Sequence, residues 1–239
     1  MPISNYYTID NTDLRISADQ ASNFAKGIAG DFNPLHDPDN RRFCVPGDLL
    51  FTVLLKHYGI SQKMHFRFSG MVGADASLQL DEQPGDAYEL RDAAGKTYLH
   101  VDRAGELTQD DKLIERLALS YVAFSGQNFP HILVPLLQEQ NVMINIDRPM
   151  VIYESMAFEL KRVDIPNVNL RLAESSMSVD GKRGDVQLTF EFLCGETVVG
   201  TGCKRLLLSG LRPYEQGGMD QLVTAYLARR DNYQATGSV

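Results

Sequence analysis

Residues 48–58 read Asp-Leu-Leu-Phe-Thr-Val-Leu-Leu-Lys-His-Tyr and predict a helix that is apolar on nearly every side. A helix of this kind is buried inside a protein, because it has no polar face to turn towards water. Gly59 is a natural end for it. The next segment, residues 64–72, carries apolar side chains at alternate positions, as a half-buried strand does. We therefore expect a long buried helix that is followed by strands.

A short motif lies upstream of this helix, where residues 30–36 read Gly-Asp-Phe-Asn-Pro-Leu-His. A helix should precede the motif, because Ser17 and Gln20 have the spacing of a capping box. Asp31 and His36 then lie on either side of an Asn-Pro turn, and a carboxylate and an imidazole held in this way can grip a water molecule and take its proton. The alternative is an ordinary turn, since Asp and Asn side chains also cap their own backbone.

The order of helices followed by strands occurs twice along the chain. Helices are predicted from Thr108, as N-cap, to about residue 124 and over residues 132–140, and five strand-like segments follow between residues 143 and 209. We expect two units, residues 1–105 and 106–239. A second motif, residues 125–131, loosely repeats the first, but Gln127 stands in place of Asp31 and an amide cannot act as a base.

The first motif resembles the hydratase motif of the MaoC-like (R)-specific enoyl-CoA hydratases. The resemblance implies that Asp31 and His36 are the catalytic pair, and that Asn33 and Pro34 support the turn between them. It also implies an α+β double hot-dog fold, in which two antiparallel sheets are each wrapped around a long buried helix. The layout fits an uncharacterised proteobacterial family with this fold as well.

A second landmark of the family is a glycine at the start of the buried helix, and Gly47 matches it. The resemblance implies that the Gly47 N–H receives the thioester oxygen, where the helix dipole favours developing negative charge. The chain departs from the pattern at Pro46, where the family has His, and in the shorter link between His36 and Gly47. Asp48 also places a carboxylate beside the expected oxyanion site.

The function that the resemblance implies is hydration of a trans-2-enoyl-CoA to a 3-hydroxyacyl-CoA, or the reverse dehydration, with no metal and no other cofactor. The partner would be an acyl-CoA or an acyl-carrier-protein thioester. Two alternatives stay open. The departures at Pro46 and Asp48 fit a non-catalytic acyl-thioester binder or regulatory relative, and a hot-dog thioesterase ranks below both.

Composition restricts the classes of partner. The chain has 239 residues, a formal net charge of −8 and 44% hydrophobic residues, so we expect a globular protein that does not bind nucleic acid. Three cysteines without metal-binding spacing favour reduced thiols and a cytoplasmic location. We find no secretory signal and no membrane-spanning stretch.

Two further features concern the second half of the sequence. Dibasic pairs, among them Lys204-Arg205, could help to hold an anionic carrier, although most such pairs are solvated surface. Residues 219–233 predict an amphipathic helix with Leu222 and Tyr226 on one face. We expect this helix to serve internal packing or a homodimer contact.

Overall fold

The computed structural model describes residues 2–146 and 148–235 of the chain. It contains six α-helices in this part: α1 (Ala18–Phe24), α2 (Gly47–Tyr58), α3 (Asp111–Gly126), α4 (Asn128–His131), α5 (Leu133–Glu139) and α6 (Gln216–Ala235). The strands are β1 (Thr8–Asp10), β2 (Asp13–Arg15), β3 (Ile60–Phe68), β4 (Leu78–Gln79), β5 (Ala87–Asp92), β6 (Thr97–Thr108), β7 (Val142–Met143), β8 (Val151–Leu160), β9 (Asn169–Asp180), β10 (Arg183–Cys194), β11 (Thr197–Ser209) and β12 (Arg212–Pro213).

Ten of these strands form one antiparallel sheet in the order β1-β2-β4-β5-β6-β3-β8-β11-β10-β9. Strands from residues 8–108 make one half of the sheet, and strands from residues 151–209 make the other. The two halves meet where β3 pairs with β8, with His65 opposite Ala157. β7 and β12 form a separate two-stranded sheet.

Helix α2 is the buried helix that the sequence predicts. Leu49, Phe51, Val53 and Leu55 are fully buried, and Gly59 follows the helix with a positive φ of 83°, which glycine adopts without strain. Nearly every side of α2 is apolar up to Leu55, so the protein can bury this part of the helix only by surrounding it with other elements. The antiparallel sheet wrapped around this helix is the hot-dog arrangement, and the predicted α+β hot-dog fold is confirmed.

The two sheets of the predicted fold are joined edge to edge into a single continuous sheet. An unpaired edge strand exposes backbone N–H and C=O groups, and the pairing of β3 with β8 satisfies them along both inner edges. The predicted boundary between residues 105 and 106 falls inside β6. The division into two units stays a prediction.

Local signals near the N-terminus are confirmed in detail. The Ser17 hydroxyl accepts a hydrogen bond from the Gln20 N–H, and the Gln20 side chain accepts one from the Ser17 N–H, which completes the capping box. Helix α3, by contrast, is capped by Asp110 and not by Thr108, because the Asp110 carboxylate accepts the N–H groups of Lys112 and Leu113.

The second half of the chain places two helices against its strands. One face of α3 is fully buried at Leu117, Tyr121 and Val122 and packs against α2, whereas α5 contributes Leu137 to a second apolar cluster beside β10 and β11.

None of the helices within residues 2–146 and 148–235 combines the length and the apolar character needed to cross a bilayer.

Candidate functional site

The first motif (residues 30–36) forms a tightly hydrogen-bonded turn. A π-helical turn follows α1, and Gly30 ends it with a φ of 68°, a value that glycine adopts without strain. The Asp31 carboxylate then accepts the Asn33 N–H at 2.9 Å, and the Asn33 side chain accepts the Leu35 N–H at 3.1 Å. These two short-range bonds hold Asp31 and His36 on opposite sides of the turn.

The His36 imidazole is oriented by the protein backbone. Its Nδ1 lies 2.8 Å from the Cys44 carbonyl oxygen, which can only accept a hydrogen bond, so Nδ1 carries a proton. Its Nε2 therefore faces Asp31, with 3.6 Å between Nε2 and Oδ2. His36 is 10% exposed and Asp31 is 28% exposed, so the pair lies at the inner end of an opening towards solvent.

The electrostatics of this pair favour an imidazolium beside a carboxylate. Burial by itself would lower the pKa of His36, but hydrogen bonding to Asp31 and Cys44 outweighs burial and raises the pKa well above its usual value. Burial would likewise raise the pKa of Asp31, and the hydrogen bond and charge of His36 instead hold it below its usual value. At neutral pH the pair thus contains one base and one proton donor.

Gly47 lies at the first turn of α2, where Pro46 is the N-cap residue. A Cβ at this position would lie 2.8 Å from Cδ1 of Tyr153 and 3.1 Å from Cε1 of Phe68, so packing leaves no room for a larger side chain. The Gly47 N–H belongs to the first turn of the helix, whose N–H groups have no partner within the helix and add to the positive end of its dipole.

One cavity of about 430 Å³ brings the predicted residues together. Its wall is mainly apolar and includes all five positions named from the sequence: Asp31, Asn33, Pro34, His36 and Gly47. The geometry therefore places the Asp31–His36 pair and the N-terminus of α2 in one space. The catalytic roles of these residues stay a prediction.

The same cavity contains a polar cluster, Asp48, Ser125 and Lys204, that the sequence did not predict. The Ser125 hydroxyl donates to Asp48 Oδ2 at 2.6 Å and accepts a hydrogen bond from Lys204 Nζ. The ammonium group also lies 4.3 Å from the centre of the Tyr153 ring. All three members of the cluster are less than 10% exposed.

Burial is the largest influence on the pKa values of Asp48 and Lys204. It raises the pKa of Asp48, although the charge of Lys204 acts in the opposite direction. It also lowers the pKa of Lys204, although Asp48 and Asp31 oppose the change. The two groups therefore depend on each other, because each charge is costly to bury alone and less costly beside the other.

The second motif (residues 125–131) faces the cavity only in part. Gln127 and His131, which correspond in position to Asp31 and His36 of the first motif, are exposed. Ser125 and Asn128 are instead buried and line the cavity. This half of the chain thus contributes polar groups to the site at positions other than those of an acid–base pair.

Helix α6 covers one side of the cavity. The Tyr226 hydroxyl accepts the Phe32 N–H at 3.2 Å and donates to the Gly30 carbonyl at 3.3 Å, so it contacts the first motif directly. Arg229 binds the Asp37 carboxylate, to which Lys26 also contributes an ion pair. Tyr226 and Leu222 both line the cavity, so the face predicted from the sequence serves packing within the chain. The predicted homodimer stays untested.

Within the described residues, no group of three or more His, Cys, Asp and Glu side chains is placed to hold a metal ion. The lysine and arginine side chains at the cavity, Lys204 and Arg229, could contact an anionic group of a ligand. Arg229 already shares Asp37 with Lys26, and Lys204 is held by Ser125.

No curated protein matches the sequence. Among solved structures, the chain is similar to a conserved protein of unknown function with a hot-dog fold from Alicyclobacillus acidocaldarius, with 8% identity and a TM-score of 0.47 over 87% of this chain and 96% of that one. It is also similar to an acyl-CoA thioesterase II, TesB2, from Mycobacterium marinum, with 13% identity and a TM-score of 0.42 over 90% of this chain and 100% of that one.

A MaoC-like dehydratase is similar to the same degree, with 11% identity and a TM-score of 0.41 over 84% of this chain and 97% of that one. Such values do not distinguish one activity from another. The sequence itself gives a firmer result, because a family model matches both halves of the sheet and ends at the start of α6. Since residues 1–217 match this model, the chain belongs to the family described as protein of unknown function, DUF3581.

Proposed function

We propose that this protein hydrates a trans-2-enoyl thioester to a 3-hydroxyacyl thioester, or catalyses the reverse dehydration. The observation that carries the proposal is the position of the Asp31–His36 pair and the N-terminus of α2 in one mainly apolar cavity. An acyl chain would occupy the apolar part of the cavity, and its thioester carbonyl would meet the Gly47 N–H.

The chemistry needs a base, a proton donor and a site for negative charge. The Asp31 carboxylate takes a proton from water, and the water oxygen bonds to the β-carbon of the enoyl group. The electron pair of the double bond moves towards the thioester oxygen, where the Gly47 N–H and the dipole of α2 stabilise the enolate. His36, protonated at Nε2, supplies the proton that the α-carbon takes up. Asp31 and His36 then exchange protons through solvent to restore the starting state.

The test compares wild type with Asp31→Asn on enoyl-CoA and enoyl-acyl-carrier-protein substrates of several chain lengths. The amide keeps the size of the carboxylate but cannot accept a proton, so we expect hydration to fall about 10²–10⁴-fold while thioester binding is retained. Loss of the conjugated enoyl absorbance measures the reaction, and titration of released thiol measures hydrolysis.

The matched control is Asp39→Asn, which makes the same chemical change at an exposed position of the same loop outside the cavity. It should retain wild-type hydration. Release of thiol by wild type without loss of the enoyl group would indicate a thioesterase instead. If wild type bound the thioesters and converted none of them, the protein would be a binder and the hydratase proposal would be abandoned.

A further inference from the structure

Asn128 is a buried amide without partners. Its side chain is 5% exposed and lines the cavity, and neither Nδ2 nor Oδ1 has a hydrogen-bond partner within residues 2–146 and 148–235. Buried side-chain amides are normally hydrogen-bonded, because leaving them unpaired costs the free energy of their lost hydration. An unpaired amide that faces a cavity is therefore a candidate for contact with a ligand.

Asp48 supplies a second unpaired group at the same cavity. Its Oδ2 accepts from Ser125, but its Oδ1 is buried and has no partner among the described residues. The Lys204 ammonium donates a hydrogen bond to the Ser125 hydroxyl, and Lys204 also lines the cavity. The subsite formed by Asp48, Asn128 and Lys204 thus draws on α2, α4 and β11, that is, on both halves of the chain.

The unpaired atoms define what kind of group could satisfy them. Asp48 Oδ1 and Asn128 Oδ1 are acceptors, while Asn128 Nδ2 is a donor. A ligand group must therefore donate as well as accept. A hydroxyl does both, whereas a carboxylate only accepts and a hydrocarbon does neither.

We propose that this subsite binds a hydroxyl group on the acyl chain other than the one formed on the β-carbon, so that the preferred substrates are hydroxylated acyl thioesters. The inference rests on the proposed function, because the Asp31–His36 pair is taken to hold the water that becomes the hydroxyl on the β-carbon. The subsite adds a second point of recognition, which an unsubstituted fatty acyl chain would leave unpaired.

The experiment measures binding without turnover, by calorimetric titration of wild type with saturated acyl-CoAs of increasing chain length. Each unsubstituted acyl-CoA is compared with its ω-hydroxy and ω-carboxy forms, which keep the same coenzyme A and pantetheine arm. At the chain length that reaches the subsite, we expect the hydroxy form to bind about 10-fold or more tightly than the unsubstituted form. The carboxy form should gain less.

Two variants identify the residue responsible. Asn128→Leu keeps a similar volume and removes the amide, so it should abolish the preference for the hydroxy form without weakening the unsubstituted one. Because Asn128 loses no partner within the described structure, the urea midpoint of unfolding should not fall. Gln127→Leu makes the same kind of change at the exposed neighbour and should retain the preference.

The outcomes separate this inference from the proposed function. Equal binding of the three forms, as expected if ordered water fills the subsite or if a pantetheine amide occupies it, would overturn the inference alone. Stronger binding of the carboxy form would also overturn it. A preference for the hydroxy form in a protein that hydrates no enoyl thioester would support the inference and refute the hydratase. Failure of every acyl-CoA to bind would refute both.

Discussion

Replacing Lys204 by Met tests whether the buried charges of the polar cluster depend on each other. Lys204 is 4% exposed and Asp48 is 8% exposed, and Ser125 connects them. Met keeps most of the side-chain volume but leaves the Asp48 carboxylate without a positive charge beside it. Removing one partner of a buried charge pair costs about 3–5 kcal/mol. For a chain of this size, the midpoint of thermal unfolding should then fall by about 6–20 °C.

The double variant Asp48→Asn/Lys204→Met provides the matched comparison. Asp48→Asn alone leaves the ammonium buried without its carboxylate and should also destabilise the protein. Removing both charges together leaves neither group uncompensated, so the double variant should be more stable than the sum of the two single changes predicts. We expect a coupling free energy of about 2 kcal/mol or more in urea unfolding at about pH 7.

The pH dependence gives an independent check. Burial raises the pKa of Asp48 in the folded wild type, and loss of Lys204 removes the main influence that lowers it. A carboxyl group with a raised folded pKa stabilises the protein below its unfolded pKa, about 3.9, and that contribution is lost as the pH rises through the folded pKa. The stability that Lys204→Met loses relative to wild type should therefore become smaller as the pH falls from neutral towards about 3.9. The reasoning would be refuted if the free-energy changes of the two single variants simply added in the double variant. It would also be refuted if the stability lost by Lys204→Met became larger as the pH fell.

Two further changes test the packing around the site. A Cβ at Gly126 would lie 1.9 Å from the Ala29 carbonyl oxygen, so Gly126→Ala should reduce the free energy of unfolding, measured by urea titration, by about 1–3 kcal/mol or more. Gly73→Ala is the control, because nothing lies within 4 Å of a Cβ at that position, and it should have little effect. Tyr226→Phe removes the hydroxyl that contacts the first motif, so it should lower the free energy of unfolding by about 1 kcal/mol. Amide hydrogen exchange at Phe32 should become faster. Unchanged exchange at Phe32 would contradict the contact assigned to α6.

The parts of the molecule that the sequence predicts depend on neighbours in the chain. The capping box needs only Ser17 and Gln20, and the turn of the first motif is built from hydrogen bonds between residues two apart. The buried helix α2 follows from its own apolar composition. These features need no knowledge of the rest of the fold, which is why a single sequence is enough to find them.

The polar cluster could not be predicted in this way. Lys204 belongs to a dibasic pair that resembles solvated surface, yet it lies on β11, where successive side chains point to opposite faces of the sheet. Lys204 therefore points inwards while Arg205 is exposed. Its partner Ser125 is 79 residues away in sequence, and only the packing of α3 against the sheet brings them together. The contact between Tyr226 and Gly30 could not be predicted from the sequence for the same reason, because the two residues are 196 positions apart.

The position of Lys204 also bears on the departures of this chain from the hydratase pattern. A carboxylate at Asp48, directly after Gly47, would oppose negative charge on a thioester oxygen if it stood alone. In the structure its Oδ2 takes a hydrogen bond from Ser125, and the ammonium of Lys204 lies on the other side of that hydroxyl. Under the proposed function, the ammonium of Lys204 would offset part of the negative charge that Asp48 places beside an enolate at the start of α2. Under the proposed function, Asp48 by itself therefore does not argue against a hydratase, because Lys204 on β11, in the second half of the chain, supplies a compensating positive charge.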